Sequence, residues 1–393
     1  MSDPGSPAPA VPVGLTRLLA VACGLVVANI YYSQPLAGPI AHALGMPADA
    51  AGLIVTLTQL GYGLGLFFIA PLGDLAENRR LILVLLALSG LALSAAAFAR
   101  NAPAFLAASL LIGIGSVAVQ VMVPYAAHLA PEAVRGAVVG NVMSGLLLGI
   151  MLARPVASAV AQLTAWPVVF AGSALIMVAV AVAIRWRLPP RRPPDSLHYG
   201  ALLASMYRLA RDTPLLRRRS LYHACMFGAF SMFWTTAPLW LASPDYGLHQ
   251  GGIAAFALIG VAGALAAPLA GRVADRGYVR PATAFAMGCG ALAFAATLAI
   301  TPGRPGALAL FAAAGVLLDF SVAANMTLGQ RAIFALGAHV RSRLNAVYIT
   351  TFFLGGALGS ALGGWAYAHA GWSGVGWIGL ALPLLAAAAF ATE

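Results

Sequence analysis

A chain of 393 residues that is 61% hydrophobic and only 8% charged cannot cover a water-soluble globule, since soluble domains run roughly half apolar and about a quarter charged. The 22 basic residues, every one an arginine, outnumber 11 acidic ones for a net charge of +11. They sit in short gaps between apolar runs, the pattern of positive charge retained on cytoplasmic loops and not of a nucleic-acid patch.

Residues 1–14 are rich in proline and small residues and lack a basic region ahead of the first apolar run. They predict a disordered cytoplasmic N-terminus and no cleaved signal. A bilayer takes about 20 apolar residues as helix, because backbone polar groups must be satisfied within the segment. Such runs occur at 15–38, 50–72, 80–99, 103–129, 137–160 and 166–186, which make a first six-helix bundle over 15–186. Residues 187–218 form a cytoplasmic linker. A second bundle over 219–393 follows, with runs at 219–241, 252–271, 281–301, 306–330, 343–368 and 373–391.

Twelve crossings put both termini on one face. That face takes Arg17, Arg79, Arg80, Arg135, the nine arginines from Arg185 to Arg219, and then Arg272, Arg276, Arg280, Arg331, Arg341 and Arg343. The other takes only Arg100 and Arg304, so the arginine-rich face is read as cytoplasmic. In the linker, four prolines between Leu188 and Pro194 stop a helix. Leu202, Met206 and Leu209 opposite Arg208 and Arg211 describe an amphipathic stretch suited to a solvated linker or a membrane surface.

The two halves resemble each other. Gly73-Asp74-Leu75-Ala76-Glu77-Asn78-Arg79-Arg80 follows the second run, and Gly271-Arg272-Val273-Ala274-Asp275-Arg276-Gly277 follows the eighth. Asn141 with Trp166 returns as Asn345 with Trp372, which supports a duplication of six helices. Each loop offers a glycine for a tight turn and a carboxylate beside arginines, the parts of a charge-assisted latch between helix ends. Glu77 is expected to pair with Arg135 or the end of the eleventh run, and Asp275 with Arg276 or Arg341.

These loops resemble the signature of the major facilitator superfamily, with Glu77 where aspartate is usual and the later glycine missing in the first copy. The resemblance covers the whole chain. It implies an all-α membrane protein of the major facilitator fold, with 12 transmembrane helices in two pseudo-symmetric bundles that rock about a central site. It also implies a cytoplasmic gate of Gly73, Glu77, Arg79, Arg135, Gly271, Asp275, Arg276 and Arg341. Helices one, four, seven and ten usually line the path, which makes Asn29, Tyr31, Tyr32, Gln34, Gln120, Tyr125, Trp234 and Asn325 the candidate substrate-cavity residues, with Thr235 and Thr236 beside them. The run Ala28–Pro35 resembles a bacterial branch of efflux permeases, and Gly145 to Gly149 falls where the superfamily's drug:proton antiporters carry a helix-five motif, without the glycines that normally follow Pro155.

Charges inside hydrocarbon are costly and are functional candidates by default. Asp319 lies some thirteen residues into the tenth run, near mid-membrane. Arg154 precedes Pro155 on the fifth run, which is expected to disrupt that helix, and it appears nearer the outer face than Asp319. Both are expected to serve proton or ion coupling. Gly145 and Gly149 one turn apart, and the small-residue face of Gly355, Gly356, Gly359, Gly363 and Gly364 on the eleventh run, predict close helix packing.

Cys23, Cys225 and Cys289 lie in apolar runs without paired spacing, which indicates neither a disulfide framework nor a zinc site. No span pairs histidine with carboxylate at metal spacing, and no phosphate-cradling loop occurs, so neither an enzyme nor an ATP-driven pump is expected. The expected protein is a monomeric, multi-pass permease of the bacterial inner membrane with no cofactor and no nucleic-acid partner. Its expected partners are the lipid bilayer, a small-molecule substrate and protons. Proton-coupled efflux of a small organic solute is the leading expectation. Proton-coupled uptake of a nutrient or organic anion, and a non-transporting receptor or lipid-handling protein, are the alternatives.

Overall fold

The computed structural model describes residues 13–193, 198–337 and 340–393. Most of the expected N-terminal segment 1–14 lies outside them. Fifteen α-helices are described: α1 Val13–Ala28, α2 Ser33–Ala43, α3 Leu53–Phe68, α4 Asn78–Ala97, α5 Ala102–Ser116, α6 Ala118–Leu129, α7 Arg135–Leu163, α8 Trp166–Arg187, α9 Tyr199–Asp212, α10 Pro214–Ala242, α11 Gln250–Ala257, α12 Ala266–Asp275, α13 Val279–Leu298, α14 Ala307–Phe334 and α15 Arg341–Ala391. No strand occurs among the described residues.

Among the described residues, ten helical stretches are long and apolar enough to cross a membrane. The longest, α15, spans 51 residues and is broken at Gly371, whose φ of 57° belongs to the left-handed region that only glycine adopts freely. The eighth predicted run is built in pieces, α11, a 3₁₀ turn from Leu258 to Leu265, and α12.

Two further runs depart from the sequence expectation. The first is not one helix. Backbone bonds from Asn29 to Val26, Ile30 to Val27 and Tyr31 to Ala28, at 3.0–3.3 Å, tighten the chain between α1 and α2. Conversely, α7 continues through Pro155 to Leu163 although the ring removes one N–H donor, so proline does not disrupt it.

Glycine contacts set the spacing inside each bundle, because a helix without Cβ atoms on one face lets another backbone approach. A Cβ on Gly149 would lie 2.1 Å from the Gly24 carbonyl oxygen, and one on Gly145 2.3 Å from that of Ala20, which places α7 directly on α1. The second bundle repeats the arrangement. A Cβ on Gly359 would lie 2.1 Å from the Gly228 carbonyl and one on Gly355 2.4 Å from that of Ala224, which places α15 on α10.

The halves meet where α3 packs on α15, α2 on α10 and α7 on α11. Gly52 at the start of α3 touches Gly364, and the Gly251 amide donates to Gln162 Oε1 at 3.0 Å. The Gly52–Gly364 and Gly251–Gln162 contacts lie at the arginine-poor end. At the arginine-rich face the halves diverge around a vestibule of about 690 Å³.

Replacing Gly149 or Gly359 with leucine is expected to lower the melting temperature of the purified protein by the equivalent of about 1–3 kcal/mol or abolish folding. Alanine at Gly172 or Gly288, where a Cβ meets nothing within 4 Å, is expected to leave melting unchanged.

Candidate functional site

Arg154 lies on α7, where its side chain is 3% exposed. Its Nε donates to Gln34 Oε1 at 2.8 Å, reaching α2 just beyond the tightened turn. The guanidinium carbon sits 4.2 Å from the ring centre of Trp234, 5.1 Å from Phe230 and 5.6 Å from Tyr31. This aromatic enclosure screens the charge from hydrocarbon through the negative faces of the rings.

Asp319, 6% exposed on α14, accepts a hydrogen bond from Trp234 Nε1 at 2.7 Å. One indole thus contacts the cation through its face and the carboxylate through its N–H. Gly260, in the 3₁₀ turn, closes the group. A Cβ there would lie 2.9 Å from Asp319 Oδ2 and 3.1 Å from Arg154 Nη1. Arg154 and Asp319 therefore share one level of the bundle, contrary to the depth difference expected from sequence, although no direct ion pair joins them. The first half contributes Gln34, Tyr31 and Arg154, and the second contributes Phe230, Trp234, Gly260 and Asp319.

The other predicted cavity residues do not join this group. Asn29 accepts from Ser173 Oγ at 2.6 Å and donates to Met177 Sδ at 3.4 Å, so it packs α1 on α8, and Tyr32 lies beside the same Ser173. Asn325 bonds His223 Nδ1 at 3.0 Å inside the second bundle. These three face neighbouring helices because the angular position of each on its helix, and for the first two the break after α1, decides what they meet, which composition does not encode. Gln120 and Tyr125 do line a cavity, the vestibule. Gln120 donates to Tyr62 at 3.0 Å, and Tyr62 packs at a tilt against Phe353 with centroids 4.6 Å apart. Through Phe227 the ring chain continues to Phe230, whose ring centre lies 5.1 Å from the Arg154 guanidinium carbon.

A second inter-half cluster has no counterpart in the sequence expectation. Gln59 on α3 exchanges hydrogen bonds with Ser231 on α10 at 2.7 and 3.0 Å, and Ser231 contacts Ser360 at 2.6 Å. Thr235 also donates to Ser360, at 3.2 Å, whereas Thr236 bonds its own helix at Met232. The glutamine and serines were visible as polar residues within apolar runs, but nothing in their spacing paired them.

At the gate the expected partners are replaced. Glu77 does not reach Arg135, which donates instead to the Ala127 carbonyl at 3.1 Å. Its carboxylate caps α4 by accepting from the Arg79 and Arg80 amides at 2.8 and 3.0 Å, and it also accepts from the Arg191 amide at 3.1 Å. The cap geometry holds Glu77 against the chain that follows α8, out of reach of Arg135. Around it, Arg79 Nη1 donates to the Leu188 carbonyl at 3.1 Å and Tyr125 to that of Pro189 at 2.5 Å. Asn78 donates to the Gly73 carbonyl at 2.5 Å and bonds Arg191 twice, through its amide to the Arg191 carbonyl and from Arg191 Nη1 to its Oδ1. Residues 188–191 therefore form a strap fixed to the first half.

In the second half Asp275 pairs with Arg331, on α14, and not with Arg276 or Arg341. Both partners are about half exposed, so the pair contributes at most about 1 kcal/mol. Arg276 is exposed, Gly271 has open space around it, and Arg341 lies over Phe334 at 5.5 Å on the vestibule wall. Helix α9 closes the mouth, with Leu202 and Met206 turned into the vestibule and not towards lipid. Tyr199 donates to the Phe68 carbonyl of the first half at 2.6 Å, and Ser205 accepts from Arg343 of the second at 3.1 Å.

The family model described as Major Facilitator Superfamily matches residues 19–333 and 220–392. The chain belongs to the major facilitator superfamily. It is 40% identical over 375 residues to an uncharacterized transporter, YgaY, of Escherichia coli O157:H7, covering 94% of this chain and 93% of that one. It is 34% identical over 363 residues to a probable transporter of Streptomyces coelicolor, covering 91% and 82%. Among solved structures, a bacterial homolog of the human lysosomal transporter Spinster, inward-facing and occupied, aligns with a TM-score of 0.77 at 14% identity, over 96% of each chain. The nucleoside transporter NupG aligns at 0.77 and 11% identity over 96% of this chain and 99% of its own, and a D-xylose-proton symporter at 0.69 and 16% over 95% and 96%. These likenesses establish the major facilitator fold, and the chain is a multi-pass membrane transporter of that superfamily.

Glu77→Ala removes the α4 cap together with the acceptor for Arg191. It is expected to cost about 1–2 kcal/mol in thermal stability and to speed trypsin cleavage after Arg191, read by peptide mapping of the intact protein.

Proposed function

We propose that this chain is a proton-coupled secondary transporter that moves a small organic solute across the bacterial inner membrane by alternating access. In this reading the chain crosses the membrane twelve times, with α15 counted as two crossings at Gly371 and α11 to α12 as one. The arginine-rich face, with both termini, is cytoplasmic. Asp319 carries the proton, and Arg154 sets the field in which it is taken up and released.

One observation carries the reading. The buried Arg154 and Asp319 come from opposite halves and share a single indole as intermediary. Rocking one half against the other changes the distance between cation and carboxyl, and with it the cost of ionising Asp319 in a low-dielectric site. Access and protonation are thereby linked, as a coupled carrier requires. The relatives' descriptions as transporters support the same class.

Asp319→Asn keeps the shape and the acceptor for Trp234 but cannot release a proton. In proteoliposomes the variant is expected to lose solute accumulation driven by an imposed pH gradient while retaining its melting temperature and solute exchange at equal pH. Wild-type accumulation by the variant under the same gradient removes Asp319 from coupling.

A further inference from the structure

We infer that the solute is a monoanionic organic acid with an apolar body, whose carboxylate docks on Arg154 and travels with the proton on Asp319. The inference rests on the coupling reading above and supplies its substrate class and sense.

The argument starts from the unspent donors of Arg154. Its Nε is engaged by Gln34, whereas no described acceptor takes a hydrogen bond from either Nη. A guanidinium withdrawn from water without a fork-shaped acceptor is expensive, and a carboxylate supplies that acceptor in a bidentate geometry. The Gln34 amide is oriented by the same bond, since arginine only donates. Its Nε2 is therefore a second donor, buried and unpartnered, on the same side chain that touches Arg154. A side chain at Gly260 would press on both charged groups, its Cβ lying 3.1 Å from Nη1 and 2.9 Å from Asp319 Oδ2. The rings of Trp234, Phe230 and Tyr31 surround the guanidinium, and apart from the Tyr31 hydroxyl and the Trp234 N–H held by Asp319 they are apolar, which suits an apolar body.

Charge counting gives the sense of coupling. Among the described residues the ionisable neighbours of Arg154 are Asp319 and Tyr31, and the only charged neighbour of Asp319 is Arg154. Without solute, Arg154 and an ionised Asp319 balance. Adding an anion leaves one uncompensated negative charge unless Asp319 takes a proton. The loaded site is therefore neutral only with anion and proton bound together. Solute and proton move in the same direction, inward under an inward proton gradient, and not by the exchange that efflux requires.

The test uses the purified full chain and two probe series of equal shape, benzoate with benzamide and benzylamine, and 3-phenylpropionate with its amide. Binding is read from thermal stabilisation across pH 5 to 8. The carboxylates are expected to stabilise the protein and the amides and amine not to. Apparent carboxylate affinity is expected to fall with rising pH as Asp319 ionises. Arg154→Gln is expected to weaken the carboxylates about tenfold to a hundredfold, and Arg154→Lys to recover part of that. Gly260→Ala keeps both charges and adds a Cβ, and it is expected to weaken the carboxylates alike. Asp319→Asn is expected to bind them with the pH dependence gone. Equal stabilisation by amides or amine, no stabilisation by either carboxylate, or unchanged affinity in Arg154→Gln overturns the inference. Carboxylate binding that needs Arg154, found together with wild-type accumulation by Asp319→Asn, would instead sink the proton-coupling reading and leave the anion site standing.

Discussion

Two pairs of helices, α1 with α7 and α10 with α15, touch backbone to backbone, and the centre of the molecule inherits its geometry from that contact. Water gives no hydrophobic drive between helices in a bilayer, so close dispersion contact and a few polar bonds hold a bundle together. Gly24, Gly145 and Gly149 in one half, and Gly228, Gly355 and Gly359 in the other, remove the side chains that would hold the helices apart. Arg154 lies just beyond Gly149 on α7, and Trp234 lies less than two turns beyond Gly228 on α10. Each central side chain therefore projects from a segment whose position is already fixed.

The two halves bind each other differently. Gln59, Ser231 and Ser360 join them by neutral hydrogen bonds, and Thr56 adds a bond to the Ala357 carbonyl at 3.1 Å. Such bonds are individually weak in membranes, about 0.6 kcal/mol on average, and hydroxyls and amides find water or one another readily when separated. An interface made of them can open without leaving a buried charge behind. The two opposite charges that the halves bring together, Arg154 and Asp319, lie at the centre, where a change of partner has a large electrostatic consequence.

Much of this architecture was legible in the sequence, for a physical reason. Hydrocarbon demands long apolar runs and penalises charge, so the runs, their arrangement in two halves, and the pair Arg154 and Asp319 all stand out. Faces of helices were not legible. Asn29 and Asn325 are as polar as Gln34, but whether such a residue meets a cavity or a neighbouring helix depends on angular phase and on breaks such as the turn at Asn29–Tyr32. Partners that are backbone atoms were invisible as well. The carbonyls of Leu188 and Pro189 carry no side-chain signature, so Arg79 and Tyr125 gave no hint of where they bind, and Gly260 matters through the side chain it lacks.

The strap and α9 together change the effective length of the tether between the bundles. Counted along the chain, residues 187–218 offer ample slack, yet Arg191 is moored to α4 and Tyr199 to the end of α3, both in the first half. The crossing to the second half is then made within α9 itself, between Tyr199 and Ser205, over less than two helical turns. A rigid strut that short transmits displacement where a loose cord would absorb it. The bundles are geared to each other at the arginine-rich end, and wide separation there requires one of the strut's moorings to let go.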